Sequence, residues 1–319
     1  MTDTGPLFVS SGDLIADRRY KWAFDHAARG DLSGAADILA QTVELAPRFA
    51  TAWFALGAIR ERLSDRDGAV TAFGHARDAD PDDYHGARLQ LARLGAGIPA
   101  PAMTETYVRR LFDQYAGRYD AALTEHLNYR GPAILTSAIE AAMRAADGSS
   151  APRQMHFAAM LDLGCGTGLG GAALKPFVDR LVGVDLSPAM IAKAEAKGLY
   201  DRLVGAGLAA FLGEEAARGA KYQLVIAADV FVYVNDLAPV IAACARVLAP
   251  EGLLAFTVET HPNDGATLLP TLRFAHGEAS LRAALKEAGL TPLKIEQATV
   301  RAEKGEPVEG LVVVAACQA

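Results

Sequence analysis

The stretch "LDLGCGTGLGG", residues Leu161–Gly171, decides the fold because an apolar run ends there in a glycine-rich turn. A glycine turn between a strand and a helix lets main-chain N–H groups come close to a bound ligand. Gly166, Gly168 and Gly171 satisfy the Gly-x-Gly-x-x-Gly pattern of dinucleotide sites, and Asp185 ends the next apolar run. The stretch therefore predicts a nucleotide- or nucleoside-binding unit and leaves the ligand open.

The residues around the glycines narrow the choice of ligand. A Walker loop is excluded because it needs Lys-Ser or Lys-Thr directly after the last glycine, and Lys175 comes too late. Asp162, two residues before the first glycine, would repel a pyrophosphate and attract a cation. S-adenosylmethionine carries an ammonium and a sulfonium, and its ribose offers two hydroxyl donors to Asp185. Asp162 therefore favours this cationic nucleoside, and a buried helix cap is the alternative interpretation of that residue.

The sequence on both sides of the turn alternates between apolar strands and helices. Strands are predicted at residues 157–164, 180–187, 201–206, 222–230 and 252–259, and helices at 169–178, 188–198, 237–250 and 278–289. "PLKIEQATVRAEKGEPVEGLVVVAACQ" predicts two further strands joined by a turn at Lys304–Pro307. The predicted fold is α/β, a doubly wound Rossmann-like sheet that is mostly parallel and has an antiparallel edge hairpin.

The first hundred residues form a separate, Ala-rich helical region. In residues 46–83, Pro47 and Pro81 stand 34 residues apart, and Trp53, Gly57 and Phe73 lie between them in an order that resembles a tetratricopeptide repeat (TPR), a helix-turn-helix unit. A weaker copy lies one period earlier. The Gly/Pro/Ala stretch Gly95–Met103 predicts a domain boundary, so we expect an all-α domain at residues 1–98 and a second domain at 99–319.

Three motifs in order carry a second resemblance. "LDLGCGTG", "VGVDLSPAM" and "LAPEGLLAFTVE" make residues 104–319 similar to class I S-adenosylmethionine-dependent methyltransferases. The resemblance implies a helical lid or substrate segment at residues 104–150 and transfer of a methyl group from S-adenosylmethionine to an acceptor.

Positions matching the family's motifs give the expected cofactor site. The resemblance places three glycines along the methionine part, Leu186 and Met190 beside the adenine, and Ala228 beside the cofactor. Gly207 stands where many relatives have an acid near the adenine, so main-chain groups near Leu208 are expected there. The expected cofactor-binding residues are Tyr119, Asp162, Gly164, Cys165, Gly166, Gly168, Asp185, Leu186, Met190, Leu208, Ala228 and Asp229.

Catalytic residues are less well defined, because methyl transfer needs a base only if the nucleophile must lose a proton. Asp229 ends an apolar strand at the edge where ligands bind. Arg273 is a candidate to hold a substrate carboxylate, and His276 is a candidate general base. No metal is expected, since the cysteines and histidines lack zinc spacing.

Composition sets the remaining expectations. A net charge of −7 argues against non-specific nucleic-acid binding, so a small-molecule or protein substrate is expected. The first residues lack a signal-peptide pattern, and no apolar run approaches the length of a membrane span, so a cytoplasmic, membrane-free protein is predicted. The TPR-like domain predicts a protein partner or self-association. The alternatives are an inactive scaffold protein that keeps the cofactor fold and an NAD-dependent oxidoreductase.

Overall fold

The computed structural model describes residues 8–99, 102–117, 129–147, 155–303 and 306–318. The chain divides into two compact units, residues 1–107 and residues 108–319. Each unit is described by itself below.

The first unit is helical over its described residues. Its helices are α1 (Leu14–Ala28), α2 (Leu32–Leu45), α3 (Ala50–Arg62), α4 (Arg66–Ala79) and α5 (Ala87–Arg93). Three of these helices, α1, α2 and α4, begin with a side-chain cap. The capping residues are Asp13, Asp31 and Asp65, and the carboxylate of each accepts main-chain N–H from the first turn of its helix. These caps satisfy donors that a helix start leaves open, so they fix where α1, α2 and α4 begin.

Small residues allow α3 and α4 to pack closely. A Cβ at Gly57 would lie 2.7 Å from the ring of Phe73, so the ring occupies the space that the glycine leaves. Ala69 and Phe73 are both buried. The Trp53 indole donates to the carbonyl of Pro47 at 2.8 Å, which closes the turn before α3.

The second unit combines helices with one sheet. Its described helices are α6 (Glu105–Tyr115, which begins just before the unit boundary), α7 (Gly131–Asp147), α8 (Leu169–Leu174), α9 (Pro188–Ala196), α10 (Leu208–Ala217), α11 (Ala238–Val247) and α12 (Glu278–Glu287). Its strands are β1 (Phe157–Leu163), β2 (Val178–Asp185), β3 (Arg202–Gly205), β4 (Tyr222–Ala227), β5 (Leu248–Thr260), β6 (Ala266–Leu268), β7 (Phe274–His276), β8 (Leu290–Glu303) and β9 (Glu306–Cys317). Thr104 caps α6 as its hydroxyl accepts from the Tyr107 N–H at 3.1 Å.

The sheet is mostly parallel with an antiparallel edge, as the sequence predicts. Its central order is β3-β2-β1-β4-β5, with all neighbours parallel. β9 pairs antiparallel with β5, and β8 pairs antiparallel with β9. The short β7 continues parallel to the end of β5, and β6 pairs with β7. Apolar side chains cover both faces of the central strands, which explains why these strands are continuous apolar runs.

Two features of the second unit lie outside the sequence predictions. "LAAFLGEEAA" forms helix α10, and residues 266–276 contribute the short β6–β7 hairpin. Helix α10 is an ordinary connection between two parallel strands. The sequence signal for the hairpin is weak because each strand has only three residues.

Among the described residues, no helix has both the length and the apolar character of a membrane span. The same residues contain no group of three or more His, Cys, Asp or Glu placed to hold a metal ion.

Candidate active site

The order of the strands fixes where a ligand can bind. The chain runs from β1 outward through β2 and β3, and then returns to the other side of β1 as β4 and β5. In open α/β sheets ligands bind beyond the carboxyl ends of the strands, at such a reversal of strand order. The glycine turn after β1 and the turn after β4 meet there, since a Cβ at Gly164 would lie 2.5 Å from the Val230 side chain.

The glycine turn adopts a backbone that other residues rarely accept. Gly164, Gly166 and Gly168 have φ angles of +60°, +55° and +90°. The turn is held from outside, because the Cys165 N–H donates to the carbonyl of Val184 at 2.9 Å. The Cys165 thiol is buried, and burial raises its pKa well above the ordinary value, so it stays protonated. The predicted role of Cys165 as a packed residue of the turn, rather than a nucleophile, agrees with this environment.

Asp185 lies at the end of β2 and holds both neighbouring turns. One of its carboxylate oxygens accepts the Gly166 N–H at 2.9 Å, and the other accepts the Ser187 N–H at 2.8 Å. Burial raises its pKa, and these main-chain donors oppose that effect. An ionised carboxylate has about four acceptor positions, so these bonds do not use its full capacity.

Residues predicted beside the adenine lie around the β2–α9 loop and at the start of α10. Met190 is fully buried in α9, and its N–H donates to the Ser187 hydroxyl at 3.1 Å. Leu186 is half-buried in the loop, and Leu208 is the half-buried first residue of α10. The structure thus brings Leu186 and Leu208 to the sheet edge with Asp185, whereas the side chain of Met190 belongs to the core.

Helix α6 is attached to the same loop. The Ser187 hydroxyl donates to the carboxylate of Asp113 at 2.5 Å, and the Ala189 N–H donates to the same oxygen at 3.3 Å. Arg109 donates to the carbonyl of Leu186 at 3.3 Å. The helical segment that precedes the sheet is therefore hydrogen-bonded to the loop that follows Asp185. Tyr119, predicted to reach the cofactor from this segment, lies outside the described residues.

Asp162 is 2% exposed at the end of β1. It accepts a hydrogen bond at 2.7 Å from the hydroxyl of Tyr200, which the sequence does not single out. Burial raises the pKa of Asp162 to about 7, while the bonds from Tyr200 and from the Gly171 N–H lower it. The carboxyl thus lies at the start of α8, beside the glycine turn.

The turn after β4 leads into a buried network of charges. Asp229 has a left-handed φ of 59°, and its N–H donates to the Thr257 hydroxyl at 2.9 Å. Its carboxylate accepts from the guanidinium of Arg301 at 2.5 Å, and the same guanidinium also binds Glu259. Ala228, just before Asp229, is half-buried at the same edge of the sheet.

Arg273 joins this network from the segment before β7. Its guanidinium lies 3.7 Å from the Glu259 carboxylate and 3.4 Å from the Tyr233 hydroxyl. The Tyr233 ring meets the Phe112 ring of α6 edge-on, with 5.3 Å between centroids. The structure therefore brings the predicted Asp229 and Arg273 together, and adds Glu259, Arg301 and Tyr233, which the sequence analysis does not select.

His276, the predicted base, is bonded to the main chain of the segment that follows Asp229. It is 4% exposed on β7, and its Nε2–H donates to the carbonyl of Phe231 at 3.3 Å. Burial lowers its pKa to about 4, so the ring is neutral at pH 7. His276 lines a cavity of about 450 Å³ together with Asp236, Ser280 and Glu287, and no residue of the glycine turn lines that cavity. The structure thus separates His276 from Asp229 and Arg273.

The missed residues share one property. Tyr200 lies 38 residues from its partner Asp162, and Arg301 lies 72 and 42 residues from Asp229 and Glu259. Each pairing depends on how the strands are ordered. The available signal was weak: Arg301 is a charge inside a predicted strand, and a charged residue there is usually a solvated one.

Part of this chain is similar to known proteins. Residues 161–256 match the family model described as "Methyltransferase domain". A stretch of 109 residues is 39% identical to the human protein named methyltransferase-like protein 27, and it covers 34% of this chain and 39% of that protein. The chain therefore spans well under half the length of this curated relative. The residues that the family model matches run from β1 to β5 in the sheet of the second unit, and the described part of the first unit is helical.

Solved structures of methyltransferases are also similar. The magnesium protoporphyrin IX methyltransferase of Synechocystis PCC 6803 with bound SAM is 18% identical, with a TM-score of 0.48 over 67% of this chain and 97% of that one. The 1,6-didemethyltoxoflavin-N1-methyltransferase of Burkholderia thailandensis, solved with bound 1,6-didemethyltoxoflavin and S-adenosylhomocysteine, is 20% identical, with a TM-score of 0.48 over 66% of this chain and 88% of that one.

Proposed function

We propose that this protein transfers a methyl group from S-adenosylmethionine to a small-molecule or protein acceptor. One observation carries the proposal. The left-handed glycine turn after β1 lies between two buried carboxyls, Asp162 and Asp185, at the reversal of strand order. A turn flanked by acids suits a cationic nucleoside better than a pyrophosphate.

The residues present fit S-adenosylmethionine. The oxygens of Asp185 keep acceptor capacity for the ribose hydroxyls beside the bonds from Gly166 and Ser187. Asp162 offers a negative charge to the ammonium, and the three glycines leave room for the methionine chain. Leu186 and Leu208 would contact the adenine, and Met190 would support it from the core. Cys165, Ala228 and Tyr119 complete the proposed cofactor site. When bound, the cofactor supplies an electrophilic methyl group on a sulfonium.

We place the acceptor against the surface formed by Asp229, Arg273 and Tyr233. Aligning a nucleophile with the methyl group and excluding water can supply much of the rate in such a displacement. Asp229 is paired with Arg301, so we assign it to shaping the site. Arg273 is the candidate for contacting an acidic group of the acceptor. His276 stays the candidate base, and a role for it requires Nδ1, because Nε2 is bonded to Phe231.

Calorimetry tests the cofactor assignment. S-adenosylhomocysteine should bind to the purified protein, and NADH should not. Asp185→Ala should weaken S-adenosylhomocysteine binding by about 1–3 kcal/mol, because charge-assisted hydrogen bonds to the ribose are lost. Tight NADH binding without S-adenosylhomocysteine binding would favour the oxidoreductase alternative. Binding without methyl transfer to any acceptor in a radiolabel screen would favour the inactive scaffold.

We also propose that the N-terminal unit is a TPR-like module that recruits a protein partner or a second copy of the chain. Two helix pairs, α1–α2 and α3–α4, and the Gly57–Phe73 packing support this. With this module we place the functional boundary near residues 98 and 99 and the protein in the cytoplasm. Sedimentation would detect self-association, and cross-linking in cells would detect a partner.

A further inference from the structure

Tyr200 packs against the sheet of the second unit and bonds Asp162, but the proposed site gives it no role of its own. It lies between α9 and β3, and its hydroxyl donates directly to Asp162 at 2.7 Å. The ring is packed among apolar residues of the sheet face that includes Leu181 and Ile226. A buried tyrosine needs a partner for its hydroxyl, and this partner is a residue of the glycine motif.

Three glycines, two of the glycine motif and one of β2, make room for this one ring. A Cβ at Gly183 of β2 would lie 2.7 Å from the Tyr200 ring, and a Cβ at Gly168 would lie 3.1 Å from it. A Cβ at Gly171 of α8 would overlap the Tyr200 hydroxyl itself. Gly171 is the third glycine of the Gly-x-Gly-x-x-Gly pattern, so here that glycine serves an internal side chain.

The environment of the Asp162 carboxyl, to which Tyr200 donates, disfavours its charged form. Asp162 is almost fully buried, and Asp185 adds a second negative charge nearby. Both effects favour the protonated acid, while the Tyr200 hydroxyl and the Gly171 N–H favour the carboxylate. Cys165, the other titratable group near Asp162, stays protonated. The charge on Asp162 therefore depends on very few donors.

We propose that Tyr200 is a positioning residue for the amino-acid end of the cofactor. Its hydroxyl donates to Oδ2 of Asp162, which favours the charged form of this carboxyl and orients it for the cofactor's ammonium. The inference rests on the proposed function, because it assigns a role within the same S-adenosylmethionine site. It adds a residue that would act on the cofactor through Asp162.

Tyr200→Phe tests this, because it keeps the ring against the glycines and removes only the hydroxyl. Two probes separate the parts of the ligand: S-adenosylhomocysteine has the ammonium, and methylthioadenosine lacks the whole amino-acid end. We expect Tyr200→Phe to weaken S-adenosylhomocysteine binding by about 5–20-fold, as expected for one hydrogen bond to a charged group. Methylthioadenosine binding should change less than about twofold, because that ligand does not reach Asp162.

Tyr222→Phe is the matched control. Tyr222 also donates its hydroxyl to a buried carboxylate of this unit, Glu215, at 2.5 Å, and Glu215 lies on α10 rather than at the glycine turn. Removing this hydroxyl should leave the affinities for both probes within about twofold of wild type. Thermal unfolding of both variants checks that each is folded at the temperature of the binding experiments.

The pH profile gives a readout that a purely structural role would not move. S-adenosylhomocysteine affinity should rise with pH as Asp162 loses its proton, and the midpoint should be higher in Tyr200→Phe because a donor to the carboxylate is gone. The ammonium of the ligand titrates in a nearby range, so the midpoints of the two proteins are compared with the same ligand. In an Asp162→Asn background, Tyr200→Phe should have no further effect on the midpoint.

Several results would overturn the inference. Equal weakening of both probes would make Tyr200 a structural residue, and so would an unchanged pH midpoint. If Tyr200→Phe does not fold, a wild-type affinity that is flat from pH 6 to pH 9 would count against it equally. Failure of wild type to bind S-adenosylhomocysteine at all is a different outcome, because it would refute the proposed function.

Discussion

At the residue scale, the site depends on buried polar side chains whose partners come from distant parts of the chain. Asp162 pairs with Tyr200, and Asp229 pairs with Arg301. In both cases the acid is one that the sequence analysis selects and the partner is one that it omits. The acids are recognisable because they end apolar runs next to a turn. The partners are not, because nothing local distinguishes a tyrosine or arginine that faces inward.

Gly171→Ala should destabilise the protein, because the added methyl would overlap the Tyr200 hydroxyl. We expect a loss of on the order of 2 kcal/mol in the free energy of unfolding, measured by chemical denaturation. Gly213→Ala in helix α10 is the control. No atom lies within 4 Å of a Cβ there, so this change should stabilise by about 0.5–1 kcal/mol. A neutral Gly171→Ala would show that Tyr200 has room to move.

Arg301→Met should cost about 3–5 kcal/mol, because Asp229 loses its cation and Glu259 keeps Arg273 at 3.7 Å but loses Arg301. The exposed pair Arg282–Glu278 gives a control: Arg282→Met should cost less than about 0.5 kcal/mol. Burial raises the pKa of Glu259. Glu259 has one cation fewer in the variant, so it takes up a proton more readily as the pH falls, and the variant's deficit should be smaller at pH 5 than at pH 8. A deficit that grows on acidification would contradict this pairing.

At the element scale, most of the second unit follows from alternating apolar strands and helices. The mostly parallel sheet and the antiparallel β8–β9 hairpin agree with the sequence prediction. The predicted and observed strands β1 and β4 begin at the same residues, since both are bounded by turns and charged residues. Helix α10 and the β6–β7 hairpin were not predicted, because neither has strong periodicity. The attachment of α6 to the β2–α9 loop is a tertiary contact that periodicity does not encode.

Asp113→Ala tests whether this attachment supports the cofactor loop. Asp113 accepts from Ser187 and Ala189, so its loss should loosen the loop that carries Asp185 and Leu186. We expect S-adenosylhomocysteine to bind about 3–10-fold more weakly by calorimetry, the effect of one charged hydrogen bond. Glu105→Ala, exposed on the same helix, should have no effect. Equal effects of the two changes would point to the helix's overall charge instead.

At the scale of the whole molecule, the buried acids link stability to pH. The pKa of Asp162 is raised from 3.8 to about 7 in the folded state. Its contribution to stability is therefore fully present below about pH 4 and is lost as the pH rises to about 7. The site thus lowers the stability of the ligand-free protein at the pH where the carboxylate is useful.

Asp162→Asn should remove that dependence. The variant should be more stable than wild type at pH 8 by on the order of 2 kcal/mol, since it buries no charge. The two proteins should have similar stability at pH 4, where Asp162 is protonated in wild type. Urea denaturation at the two pH values measures the difference. A variant less stable than wild type at pH 8 would show that the Tyr200 and Gly171 hydrogen bonds outweigh the cost of burial.

The position of β9 has a consequence for synthesis. Residues 253–259 of β5 are paired along one edge by β9, which is made about fifty residues later. While the ribosome is still producing α12 and β8, the main-chain N–H and C=O groups along this edge of β5 have no partner strand, and the side chains of these residues are mostly apolar. β8 cannot cover them, because it joins the sheet only through β9. The nascent chain is therefore exposed to pairing with neighbouring chains until its last strand emerges.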